Sequence, residues 1–376
     1  MANSGLSSLI PNVYAALDVV SRELTGIIPG VSRDAKADRL ATGQTLTSHV
    51  APSNTTATYT PSMAVPSAID QTIGNTGLTL SKNKYAGFSW TGEEEYSVDQ
   101  GSGFLNVQQD QIAQAFRVLA NEMEADLAGA LAQGASRAYG TAGTTPFASS
   151  LGDTAQVKKI LDDNGAPASG RSLVIDTSAG AAMRTLSQLT NVNEAGTSMT
   201  LRDGELLNVH GFSVKESAQI DNSTAGAGTS YILDAALAIG ATAIGVDTGS
   251  GTILAGDIVT IGNYKYVVAT ALASGEFTIA APGLQEAAAD DATVTVNATS
   301  ARNLAFTSDA VTLATRLPTF PTMGDLAIDN EVITDPRTGI SYDLRCYPGD
   351  GMVLYRIHAL WGWNVNKPEH AALMLG

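Results

Sequence analysis

The stretch that decides the fold is Val107–Tyr139, VQQDQIAQAFRVLANEMEADLAGALAQGASRAY. Ile112, Phe116, Leu119, Met123, Leu127 and Leu131 recur at intervals of three and four, which puts them on one stripe of an amphipathic helix. Polar residues fill the remaining positions. At 1.5 Å of rise per residue the predicted rod is about 45 Å long, more than a compact domain of ordinary size requires. The pattern therefore points to an elongated subunit. Gly129 and Gly134 weaken the last third of the rod by about 1 kcal/mol each relative to alanine.

Around this rod lies a chain of 376 residues, 44% hydrophobic, long enough for two or three domains with real cores. Only 15% of residues are charged, yet the formal net charge is -16. A wide grip on nucleic acid through Lys and Arg would work against that field, so a protein of this charge beside DNA encloses it rather than reads it. The single cysteine, Cys346, excludes an internal disulfide framework and a cysteine metal cluster, and its place in an alternating run marks a buried thiol. No Lys or Arg precedes the short apolar run of the first twenty residues, which argues against a secretory leader, and no uncharged run approaches the ~20 residues of a membrane span. The expectation is a soluble intracellular product.

Read outward from the rod, the chain changes character several times. Residues 1–40 form an arm with a predicted helix from Pro11 to Leu24, closed by the breakers of Gly26–Gly30. From Ala41 to Val98 helical periodicity is nearly absent. Leu78 and Leu80, then Tyr85, Phe88 and Trp90, read as strands of a long protruding hairpin, with Lys82-Asn83-Lys84 as the turn between them and Glu93, Glu94 and Glu95 as a charged strand end. Beyond Gly140, TAQVKKILDDNG reads as a helix, SLVIDT as a buried strand and AAMRTLSQL as a helix again, giving an α+β or α/β layer. Gly226–Thr299 is different: short β-rich runs separated by Gly, Ala and Ser predict a small antiparallel barrel or sandwich. Its interior is predicted to use Ile253, Ile258, Val259, Ile261, Val267, Val268, Phe277 and Ile279. The mixed pattern resumes afterwards and closes on two strands, with Ile340, Tyr342, Leu344 and Cys346 on one face and MVLYRIHALWGW after a turn at Pro348–Gly351. Segments on either side of the β-rich region would join as one domain if it were removed, which is the signature of an insertion.

Motifs of catalysis are lacking. No Gly-Lys pair exists to build a phosphate loop, and HExxH, CxxC and GxSxG are absent. His49, His210, His358 and His370 fall in different elements with no nucleophile or acid at motif spacing. Thr248–Asp257, TGSGTILAGD, lies between β runs and opens no helix, so it reads as a strand-joining loop. Asp162-Asp163 and Asp290-Asp291 lack the alternating ligands of a calcium loop. In the arm, Arg22, Arg33, Lys36 and Arg39 are interleaved with Glu23, Asp34 and Asp38, so no basic DNA-binding tail forms. No metal, cofactor or catalytic residue is expected.

The order of these parts, with LRDGELLNVHGFSVKES at Leu201–Ser217 and RIHALWGWNVNKPEHAALMLG at Arg356–Gly376, resembles the major capsid (coat) proteins of tailed bacteriophages. More closely, it is similar to the short-tailed-phage type that carries a β-barrel domain inserted in its axial domain. The residues that carry the second similarity are Arg356, Ala359, Leu360, Trp361, Lys367, Pro368 and Glu369. This chain's insertion is shorter than in the best-known members and its hairpin departs in sequence almost entirely. The resemblance implies an α+β chain with the tailed-phage and herpesvirus major capsid fold. Its parts would be an N-terminal arm (1–40), an extended hairpin with peripheral-domain strands (41–98), a spine helix (99–140), a first part of the axial domain (141–225), an inserted β domain (226–299), and a second axial part with the closing strands (300–376).

The same resemblance implies an icosahedral shell of hexamers and pentamers of this chain, built with a scaffolding protein and a portal and enclosing double-stranded DNA. A decoration protein would be a further partner, no membrane is involved, and the product is a virion capsid made in the host cytoplasm. Candidate assembly contacts are Lys82, Lys84, Trp90, Glu93, Glu94, Arg22 and Arg33. Some shells of this kind crosslink through a hairpin lysine; at Lys82 and Lys84 the simpler reading is protection of a strand edge. Two other classes remain as alternatives, a β-rich surface adhesin or glycan-binding protein and an enzyme with a diffuse α/β site.

Overall fold

A computed structural model describes residues 23–34, 40–50, 58, 60–63, 73–99, 104–191, 204, 206, 208–321 and 324–376. The predicted arm helix up to residue 22, with Arg22, and also Lys36, Arg39 and the beginning of the Leu201–Ser217 segment, lie outside the described residues.

In chain order the first elements are β1 (Ser32–Arg33), β2 (Thr45–Val50), β3 (Gly74–Thr79), β4 (Lys82–Thr91) and the helices α1 (Gly92–Asp99) and α2 (Phe104–Gly134). There follow β5 (Arg137–Tyr139), α3 (Gly152–Asp163), β6 (Arg171–Ile175), α4 (Thr177–Arg184), α5 (Ser187–Thr190), β7 (Ser213–Glu216) and β8 (Asn222–Ser223). The β-rich region holds β9 (Tyr231–Leu233), β10 (Ala243–Asp247), β11 (Ile258–Ile261), β12 (Tyr264–Ala273), β13 (Glu276–Ile279) and β14 (Thr293–Val296). The chain closes with β15 (Ser300–Thr307), β16 (Val311–Arg316), β17 (Asp329–Thr334), β18 (Ser341–Pro348), β19 (Met352–Val365) and β20 (Ala371–Leu375).

Helix α2 is the rod. Ile112, Phe116, Met123, Leu127 and Leu131 are fully buried and Leu119 nearly so. The helix ends at Gly134 rather than running on to Tyr139, because Arg137–Tyr139 is claimed by two sheet partners: β5 pairs parallel to β20 and antiparallel to β12. Tertiary hydrogen bonds override helical periodicity there.

Two sheets flank the rod. One has the order β1-β16-β19-β18-β17, with β4 on the opposite edge of β19. Its β4 is paired from Lys82 opposite Trp361 through Thr91 opposite Met352. Lys82–Lys84 is therefore strand and not a turn; the hairpin is instead β2–β3, in register from Thr45–Thr79 to Val50–Gly74. The hairpin's base sits on this sheet through Leu78 and Leu80 against Ala314 and Leu360. Gly362 makes that approach possible, since a Cβ there would stand 2.0 Å from the Thr79 carbonyl oxygen.

The second sheet runs β7-β6-β15-β20-β5 and is covered on both faces. On β6, Val174 faces the rod's core whereas Leu173 and Ile175 face α3 and α4; on β20, Leu373 and Leu375 face the rod whereas Ala372 and Met374 face the helices. Burial on both sides explains why Leu173–Ile175 and Ala371–Leu375 are unbroken apolar runs. Helix α4 starts where the Asp176 carboxylate accepts from the Ser178 and Ala179 amides.

The β-rich region is a closed six-stranded antiparallel barrel of order β11-β14-β9-β10-β13-β12, with β12 returning to β11. Its two ends meet, because β8 pairs with the beginning of β15, Ser223 opposite Ser300. Val259, Ile261, Val268, Phe277 and Ile279 fill the barrel with Tyr266, Leu233 and Ile244. Ile258 and Val267 do not. They are cross-strand partners that point out of the barrel and belong to the core around the rod. The period of two in a strand decides this: neighbours of Val259, Tyr266 and Val268 must face the other way. The barrel's edge also continues into the second sheet through the β12–β5 pairing, so the insertion is joined to its host by both hydrogen bonds and apolar contact.

Candidate assembly elements

The candidate assembly elements are the hairpin, the rod and the N-terminal strap of residues 23–33, which lies on the rod and ends beside β16. The strap is fastened by three devices. Arg117 of α2 grips Glu23 through both its Nε and Nη2, and Asn121 donates to the same carboxylate at 2.7 Å. This pairing holds the Glu23 carboxyl down to about 2. One turn further on, Glu124 is wholly buried and accepts the backbone N–H groups of Gly26 (2.6 Å), Ile27 (2.7 Å) and Ile28 (2.9 Å). Burial pushes its carboxyl up, against these amides and a hydrogen bond from Ser217, so a costly buried acid stands where the strap, the rod and the end of β7 meet. Ile27 and Ile28 fill the core beneath. Finally, β1 adds in parallel to β16, and Arg33 donates to the carbonyls of Thr338 and Gly339.

Sequence reasoning missed Glu124. A carboxylate three residues from the rod's apolar stripe at Leu127 reads as solvated, and only the strap's amides, nearly a hundred residues upstream, show otherwise. The signal available was the pair Gly26 and Pro29, which marks a break but names no partner.

Several candidate contacts already have partners inside the subunit. Lys84 reaches Glu122 at 2.5 Å, and Lys82 lies 3.5 Å from Asp126, both on α2. The Glu122 carboxylate raises the Lys84 pKa, holding that amine charged and a poor nucleophile. Trp90 is buried and donates its indole N–H to Gln111 at 2.8 Å. Glu93, Glu94 and Glu95 lie in the first turn of α1 and not in a strand. The reason is a capping box, Thr91-Gly-Glu-Glu94: the Glu94 carboxylate accepts the Thr91 N–H at 2.9 Å while the Thr91 hydroxyl accepts the Glu94 N–H at 3.3 Å. That four-residue signature was legible, and acidic residues at a helix start also suit its dipole. Arg33 lies level with Trp363 at one end of β19, whereas Glu93 follows Thr91, which pairs with Met352 at the other end, so the structure does not bring these contacts into one patch.

Chemistry elsewhere stays scattered. His49 meets Asn75, His210 meets Thr154, and His358 is packed between the rings of Tyr85 and Phe320. Cys346 is buried, which pushes its thiol up. Asp162 pairs with Arg171 and Asp163 with Lys159. Among the described residues no three His, Cys, Asp or Glu side chains converge as a metal site, and no helix is long and apolar enough to cross a membrane.

Two sheets lie astride a long helix, with a hairpin on the first and a barrel joined to the second, and this arrangement has counterparts among solved structures. A chain of Mycobacterium phage Che8 superposes with a TM-score of 0.52 at 13% identity, over 94% of this chain and 92% of that one. A chain from the capsid structure of the cyanophage P-SCSP1u gives 0.52 at 13% identity, over 95% of this chain and 89% of its own. This is a phage-capsid fold. The likeness drawn from the sequence is met at the level of fold, and the inserted barrel-like sheet is seen. No sequence-family model matches the chain, and no curated protein is similar to it at a significant level.

Proposed function

We propose that this chain is the major capsid subunit of a tailed bacteriophage, a structural protein that self-assembles into the icosahedral head and encloses double-stranded DNA. The observation that carries the reading is the superposition on phage chains along nearly the whole length. The physical design agrees with it. A shell needs many repeated interfaces rather than one pocket, and a hairpin supplies area beyond the subunit's own core. The net charge of -16 suits a wall along which a packaged genome slides instead of sticking. Hexamers and pentamers of this chain, a scaffolding protein, a portal and a decoration protein are its proposed partners, and the division into arm, hairpin, spine, axial domain and insertion is its proposed anatomy.

Negative-stain images and sedimentation of the purified chain test this. Closed particles of hundreds of subunits are expected. A species no larger than a dimer at every protein and salt concentration, alone and with extract of phage-infected cells, overturns it, and would return weight to an adhesin or an enzyme.

A further inference from the structure

At the seam between the barrel and its host lies a cavity of about 350 Å³. Its wall includes Arg137 and Tyr139 of β5, Lys159 of α3, and Asn263, Tyr264 and Lys265 at the start of β12. The chain is strongly acidic, yet this wall is cationic. Arg137 is 2% exposed. Its Nη2 donates to the Ile160 carbonyl and to Asn164, its guanidinium lies 5.8 Å from the Tyr264 ring centroid, and its Nε–H has no acceptor. The nearest carboxylate, Asp163, is 3.7 Å away and is shared with Lys159, which it meets at 2.8 Å. Lys265 donates to the Gly140 carbonyl, leaving its remaining ammonium donors for the cavity. Glu286, on the barrel side, keeps its charge but directs its two oxygens to the backbone and side-chain N–H groups of Asn263, and it makes no ion pair with Arg137, Lys159 or Lys265.

A buried cation with an unmatched donor is costly unless an anion meets it. Burial lowers both the Arg137 and Lys265 pKa values, so each is held in its charged form at a penalty that a bound negative group would relieve. Two of the three cations, Arg137 and Lys159, share one carboxylate, and Lys265 pairs with none, in a cleft lined by two tyrosines. We propose that this cavity is an oxyanion-binding site, taking a phosphate or carboxylate group against Arg137, Lys265 and Lys159. The planar guanidinium supplies directional donors, Lys265 a point charge, and Tyr139 and Tyr264 a partly apolar wall that sharpens both. Because the site joins β5 to β12, its occupant would tie barrel to host. The assignment stands on the subunit alone and does not depend on whether shells form.

The test is calorimetric titration of the purified full chain with inorganic phosphate, and separately with acetate, at pH 7 and constant ionic strength. Saturable binding is expected, weakened at least about ten-fold by Lys265→Met and by a smaller factor by Lys159→Gln. Saturation by phosphate alone identifies a free phosphate, whereas saturation by acetate identifies a site for carboxylates such as an acidic side chain. Lys265→Met is used if its melting point in chloride equals that of the parent; otherwise the exposed Lys159→Gln carries the comparison. Absence of saturable binding by either anion, or equal affinity in the variants, overturns the proposal.

Discussion

Removing the Glu124 carboxylate should free the strap from the rod. Its Oε1 accepts from Gly26 and Ile27 and its Oε2 from Ile28, all between 2.6 and 2.9 Å, in a site with no solvent. Glu124→Ala strands three backbone donors, and each stranded buried donor costs roughly 1–3 kcal/mol. Two effects reduce that gross loss: the carboxylate's own burial penalty disappears, and the space left admits a water. The net cost is about 2–4 kcal/mol. Glu124→Gln keeps one acceptor oxygen but turns an NH2 toward the third donor, for about 1–2 kcal/mol. The readout is amide hydrogen exchange at Gly26, Ile27 and Ile28, which senses local opening without requiring the whole chain to unfold in one step. Exchange in Glu124→Ala should be about 30- to 1000-fold faster, at about 1.4 kcal/mol per factor of ten. Rates within about three-fold of the parent would refute the clamp.

Other expectations concern separate elements. Glu23→Gln should cost about 1 kcal/mol at pH 7, the scale of a half-exposed pair. Because the folded Glu23 carboxyl is held below its ordinary 4.5, near about 2, that contribution is complete above pH 4.5 and lost as pH falls through about 2; a denaturant-midpoint difference that persists at pH 1.5 counts against it. Glu124 has the opposite sign, since its raised carboxyl disfavours the folded state more as pH rises past the ordinary value. Gly129→Ala, with open space at its Cβ, should stabilise the chain by about 0.5–1 kcal/mol, whereas the Cβ of Gly134→Ala would meet Val365 at 2.8 Å and should destabilise it; melting curves shifting in the same direction would contradict this. Replacing Ile258 and Val267 together by threonine should improve the solubility of an isolated 226–299 fragment but destabilise the full chain by about 2–4 kcal/mol, because both face the rod and not the barrel interior. A full chain with unchanged stability would show that the seam is not packed.

How much of this was legible depends on the range over which each feature is decided. The rod's stripe from Ile112 to Leu131 repeats within a single helix, so neighbouring residues suffice to reveal it. The β-rich insertion shows in its own glycine-punctuated runs, and the doubly covered strand at Leu173–Ile175 shows in its unbroken apolarity; Ala371–Leu375 carries the same signal, although the closing strand expected from the sequence is Met352–Trp363. The capping box at Thr91–Glu94 was equally local and went unread behind the strand-like run before it. By contrast, the assignment of Lys82–Lys84 to a turn failed because β4's pairing is with β19, far along the chain.

Sequence by itself determined the rod, the buried strand at Leu173–Ile175 and the β-rich insertion, since these rest on periodicity and composition, and it holds none of the catalytic motifs named above. Tertiary structure alone decided which faces meet. It turned Ile258 and Val267 outward, stopped the rod at Gly134 to make β5, set Glu124 on the strap's amides, and gathered Arg137, Lys159 and Lys265 around one cavity. Each joins residues distant in sequence, and their energies come from desolvation and hydrogen bonding, which exist only once the distant partners have come together.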